Sequence, residues 1–147
     1  INNWAASLLT WPLARQWLPL VLGDNHNSEP RNALHARFWT TTYPTTALLP
    51  MAALVKTVMR ADFSGVSFPA LFYYSRDDLV VDPAEIAAFV DGWGGAVAVI
   101  HPQLGDGDDK YAHVIAGDIV SPQQTDFAVD EMLRWLSTQQ GWPASGR

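Results

Sequence analysis

The chain has 147 residues, 48% hydrophobic and 16% charged, with a formal net charge of −6 at pH 7. That is the size and composition of a globular domain with a sizeable core, and it excludes a largely disordered chain. Only nine Lys and Arg are present and they are scattered, so nucleic acid is excluded as the main partner; the absence of cysteine likewise excludes disulfides, thiolate metal sites and a thiol nucleophile.

No signal peptide is visible and no apolar run reaches the roughly eighteen residues that span a bilayer, so a soluble, cytoplasmic location is the default expectation. Residues 2–22, NNWAASLLTWPLARQWLPLVL, are apolar and rich in Trp. Pro12 and Pro19 predict that they break into short helices, because proline has no N–H for the preceding turn, and Thr10 is placed to cap the second. Residues 23–32, GDNHNSEPRN, read as a loop. Residues 45–61 are the cleanest helix, with Leu48, Met51, Ala52, Val55 and Met59 along one face, ending near Asp62.

From Gly65 onward the pattern alternates between strand and helix. Residues 70–75 predict a strand, and 83–92 a helix with Asp82 as N-cap, Pro83 at the first helical position and Glu85 completing a capping box. Residues 96–100, AVAVI, predict a second strand, followed by a long loop containing GDGDDKYAHVIAGD. Ser121, Pro122 and Gln124 repeat the capping logic and open a last helix, about 122–139, stopped by Gly141, with a frayed tail at 141–147. This order implies an α/β fold with parallel strands covered on both faces, although two strands alone do not make a stable sheet.

Reactive groups in open parallel sheets collect beyond the carboxyl ends of the strands. Asp77 and Asp78 stand where the first strand ends, and His113 lies in the loop after the second. A carboxylate and a histidine on adjacent loops are two members of a nucleophilic triad, whose third would be Ser or Cys.

The segment YYSRDDLVVDP, residues 73–83, resembles the α/β-hydrolase pattern of a strand ending in a small residue, two variable residues, the triad acid and an apolar pair leading to proline. The resemblance implies that Ser75 takes the usual glycine position, Asp78 is the acid, Val80 and Val81 are the apolar pair, and Asp77 is variable. HVIAGDIVSP, residues 113–122, is similar to the family's histidine loop, and acid before histidine agrees with the order Ser…Asp…His. The likeness covers residues 66–139 and places 1–65 where the family inserts a helical cap or lid. It is weaker there.

One departure is large. No G-x-S-x-G occurs, and the nearest string, GVSFP at 65–69, lacks the second glycine and precedes a strand. The expectation is therefore the carboxy-terminal part of a serine hydrolase, truncated at the internal-looking Ile1, with the nucleophile, oxyanion hole and first five or six strands upstream. It would act on a carboxylic ester or thioester as a carboxylesterase-, thioesterase- or lipase-like enzyme, without a cofactor or metal, and would be inactive alone. Its partners would be the acyl-ester substrate and the missing amino-terminal part or a second copy. The rival reading is a non-catalytic α/β module or degenerate hydrolase binding a small apolar ligand or a protein partner. A nucleotide-binding domain is disfavoured because neither glycine-rich phosphate motif is present.

The remaining polar residues have simpler readings. Asp77 is solvated or paired with a base such as Arg76, His101 is a weaker rival to His113, and His26 and His35 are surface loop residues. The string DGDDK at 106–110 fails as an EF-hand, since positions six and twelve hold Tyr111 and Gly117, and reads as a solvated loop. Trp11, Trp39 and Tyr43, with Trp4 and Trp17, are candidates to line an apolar substrate pocket, with ordinary core packing as the equal alternative.

Overall fold

The computed structural model describes residues 9–11 and 13–139. Among these residues the chain is mixed α/β, with five α-helices and two two-stranded sheets. Pro12, Trp4, Gly141 and the 141–147 tail, each assigned a role above, lie outside the described residues. The chain divides into two compact units, 1–62 and 63–147. No described helix is long and apolar enough to cross a membrane.

In the first unit, α1 spans Ala14–Leu22 and carries Pro19 inside it. Pro19 therefore does not end the helix as the sequence implied. It removes one backbone bond, while Leu18 and Ala14 bury against the rest of the unit. Thr10 does not cap it either: the N-cap is Leu13, at φ 61°, and the Thr10 hydroxyl instead accepts from Lys56 Nζ at 3.1 Å.

The stretch read as a loop contains β1, Asn25–Asn27, which pairs antiparallel with β2, Thr42–Pro44. Three exposed polar residues have no alternation to announce a strand; cross-strand bonds define it, among them Thr42 Oγ1 to Asn27 Oδ1 at 3.0 Å. His26 stays exposed on β1, opposite Tyr43. His35, expected on a surface loop, is buried in α2, Ala33–Phe38, where Nδ1 accepts from Arg31 N and the ring lies 5.0 Å from Trp39. A 3-10 turn, Thr45–Ala47, leads into α3, Leu48–Val58. Of its apolar face only Ala52 is buried; Met51, Val55 and Met59 are exposed.

In the second unit, β3, Ala70–Tyr73, pairs parallel with β4, Val97–Ile100, in the register Ala70↔Val97 to Tyr73↔Ile100. The crossover is α4, Pro83–Asp91, whose N-cap Asp82 accepts from Ala84 N at 2.9 Å with Pro83 in the first turn. Phe63, Phe72, Phe89 and Trp93 pack ring against ring between helix and sheet. The chain re-enters the sheet through Gly94 and Gly95, where a Cβ would run into the Ser64 and Phe68 carbonyls, so only glycine allows this approach. A 3-10 turn, Pro122–Gln124, precedes α5, Thr125–Ser137.

The parallel pairing agrees with the sequence, but full cover on both faces does not. All four residues of β3 are only half-buried, and Val97 and Val99 of β4 are exposed.

Candidate active site

Beyond Tyr73 the ladder runs one bond further, Tyr74 N to Ile100 O at 3.2 Å, and the chain then turns. Ser75 is buried and its hydroxyl accepts from Asp77 N at 3.1 Å. That turn leaves Asp77 exposed and brings Asp78 inward, to 8% exposure. Asp78 Oδ1 accepts from Val80 N at 2.7 Å and Val81 N at 2.9 Å, a local side-chain turn that leads directly to the Asp82 cap. One oxygen of the carboxylate is thus committed to the backbone, and the other faces the second loop.

There, Asp78 Oδ2 lies 2.8 Å from His113 Nδ1. An ionised carboxylate only accepts, so Nδ1 carries a proton, and in the neutral ring the Nε2 lone pair is left on the far side. The His113 side chain is 40% exposed and that of Asp78 only 7%, so the acid is enclosed and the histidine reaches outward. Burial pushes the Asp78 carboxyl up, but hydrogen bonds from His113, Val81 and Val80, together with the His113 charge, outweigh it and hold the group below its ordinary value. Asp78 remains a carboxylate next to a ring whose tautomer it fixes. Such a pair can steady an imidazolium formed when Nε2 takes a proton.

The rival His101 is engaged elsewhere. Its Nδ1 lies 3.0 Å from the Tyr74 carbonyl and its ring 4.6 Å from that of Tyr74, so it ties together the ends of the two strands.

Two residues that bond to the backbone of the histidine loop differ from their reading in the sequence. Ser121 caps nothing with its side chain. Fully buried, it accepts from Asp109 N at 2.9 Å and donates to the Val114 carbonyl. The DGDDK string is only partly solvated: Asp106 is exposed, Asp108 Oδ2 accepts from Gly105 N and Gln124 Nε2, and Asp109 is 5% exposed. The signal that could have exposed Asp109 is its place four residues before His113, within reach of that loop's backbone N–H groups.

Trp11, Trp39 and Tyr43 all belong to the first unit, whereas Asp78 and His113 belong to the second. Trp11 and Trp39 are exposed; Tyr43 is half-buried, its ring 5.0 Å from His26. Trp17 is half-buried on α1. Among the described residues no three His, Asp or Glu group together as a metal site. The chain matches no protein-family model, no curated protein and no solved structure.

Proposed function

We propose that this chain supplies the acid and the histidine of a nucleophilic triad in a serine hydrolase of the α/β-hydrolase type, acting on a carboxylic ester or thioester. The observation that carries the reading is the 2.8 Å contact between Asp78 Oδ2 and His113 Nδ1, beyond the carboxyl ends of two adjacent parallel strands. Asp78 orients the ring. Nε2 takes the proton of a serine hydroxyl as its oxygen attacks the acyl carbon, and returns that proton to the departing alkoxide or thiolate; water then repeats the sequence to release the acid.

The serine comes from polypeptide beyond these residues, since no G-x-S-x-G occurs among them. Half-buried β3 and exposed Val97 and Val99 support this, because parallel strands normally lie between covered faces. On this reading residues 1–65 stand where the family inserts a helical lid.

The test is the full-length gene product assayed on a p-nitrophenyl acyl ester and labelled with a fluorophosphonate. It hydrolyses and labels; the isolated 147-residue chain does neither. His113→Ala lowers turnover roughly 10⁴- to 10⁶-fold. A folded full-length protein that neither labels nor hydrolyses any acyl ester refutes the reading and favours a binding module.

A further inference from the structure

Asp109 belongs to neither member of the dyad, yet its carboxylate is wrapped by the loop that carries His113. Oδ1 accepts from Tyr111 N at 3.0 Å. Oδ2 accepts from Val114 N at 2.9 Å and, more weakly, from His113 N at 3.3 Å. Its own N–H donates to Ser121 Oγ and its carbonyl accepts from Ala112 N at 2.7 Å. A carboxylate with 5% exposure is costly unless backbone donors surround it, and here they come from both sides of the histidine.

Two further features show what this arrangement holds. Ala112, the residue before His113, stands at φ 50°, a left-handed conformation that is unfavourable for a non-glycine residue and persists only where its surroundings impose it. Tyr111, bonded to Asp109 through its N–H, accepts at its carbonyl from Leu79 N at 2.9 Å. Leu79 directly follows Asp78. The backbone beside the acid and the backbone beside the histidine are therefore joined through a residue that Asp109 fixes. Ser121 anchors the far side by bonding Asp109 N and the Val114 carbonyl together.

We propose that Asp109 is a positioning residue for His113: its buried carboxylate, anchored through Ser121, holds the backbone of residues 111–114 so that the imidazole meets Asp78. Its catalytic consequence rests on the triad reading above. The geometry of the Asp78–His113 bond does not, and is read separately.

The experiment uses the full-length protein with two readouts, the proton resonance of His113 Nδ1 and steady-state hydrolysis of a p-nitrophenyl acyl ester. Asp109→Asn is nearly isosteric but sets an NH₂ group against either Tyr111 N–H or the His113 and Val114 N–H pair. The native protein shows a downfield, exchange-protected Nδ1 proton. In Asp109→Asn that resonance broadens or vanishes, and kcat falls about 10²-fold, the order expected for a reacting group displaced by about 1 Å. KM changes by less than about threefold, because the buried Asp109 carboxylate acts through His113 and not on the substrate. Asp109→Ala gives a larger effect of the same kind; if it fails to fold by circular dichroism, the isosteric variant decides. Asp109→Asn with the resonance intact and kcat within about threefold of native overturns the proposal, as does a change confined to KM. If the native protein shows the resonance but no hydrolysis, the triad reading falls, while loss of the resonance in Asp109→Asn still supports the positioning role. If the native protein shows no such resonance, both fall.

Discussion

Asp78→Asn tests the tautomer rather than the fold, because the two oxygens of Asp78 face different donors. Oδ1 takes two backbone N–H groups, from Val80 and Val81, and Oδ2 takes one, from His113 Nδ1. An asparagine carbonyl satisfies the two backbone donors only if it occupies the Oδ1 position, which sets the NH₂ opposite His113. Two donors then face one another unless the imidazole moves its proton to Nε2. In that tautomer Nε2 no longer accepts a proton from a nucleophile. Asn retains both turn-forming bonds, so the loss of stability is limited to one charge-assisted hydrogen bond, about 1.5–3 kcal/mol. Loss of turnover is about 10⁴-fold, the cost of the same substitution in the serine-protease triad, equivalent to about 5.4 kcal/mol in the barrier. The assay is kcat on a p-nitrophenyl acyl ester in the full-length protein, with ¹⁵N shifts of the His113 ring reporting the tautomer. Turnover within about tenfold of native, with the proton still on Nδ1, refutes the assignment of Asp78 as the orienting acid.

The neighbouring position is the control: Asp77 is exposed, so Asp77→Asn shifts stability by less than about 0.5 kcal/mol and leaves turnover within about threefold. Were Asp77→Asn damaging and Asp78→Asn harmless, the acid would stand one residue earlier. Acid stability follows from the same carboxylate. Since the folded Asp78 carboxyl is held below its ordinary value, its contribution is fully present above the unfolded value, about 3.9, and is lost as the pH falls from there through the folded value. Urea midpoints of the native protein should therefore fall more steeply below about pH 4 than those of Asp78→Asn, and identical slopes would count against the bond. Finally, the isolated chain should associate in sedimentation, because it exposes the large apolar side chains of Phe68, Val97, Val99, Val129 and Leu133; a monomer at all concentrations would contradict further polypeptide docking there.

Local chemistry was sufficient to read several elements from the sequence. Asp82 before Pro83 and a helical run signals an N-cap by short-range hydrogen bonding, and α4 begins there. The apolar runs at β3 and β4, separated by that helix, imply parallel pairing because the intervening chain is long enough to cross over. That Asp77, Asp78 and His113 would gather at one end of the sheet was legible for a related reason, since parallel strands carry their following loops to the same end; the choice of Asp78 over Asp77 came from the resemblance of residues 73–83 to the α/β-hydrolase pattern. What the sequence could not determine is how polar groups distant along the chain find each other. Ser121 has the signature of a cap but bonds Asp109, twelve residues earlier, because full burial left its hydroxyl only tertiary partners. Asp109 lies in a string of acids that composition reads as solvated, and only the fold of its loop places backbone donors around it. Likewise β1 exists through its pairing with β2 rather than through any preference of Asn, His and Asn. Capping and strand order depend on neighbours in sequence and so are determined by sequence; the partners of a buried hydroxyl or carboxylate depend on which segments converge, and that is decided only when the chain has folded.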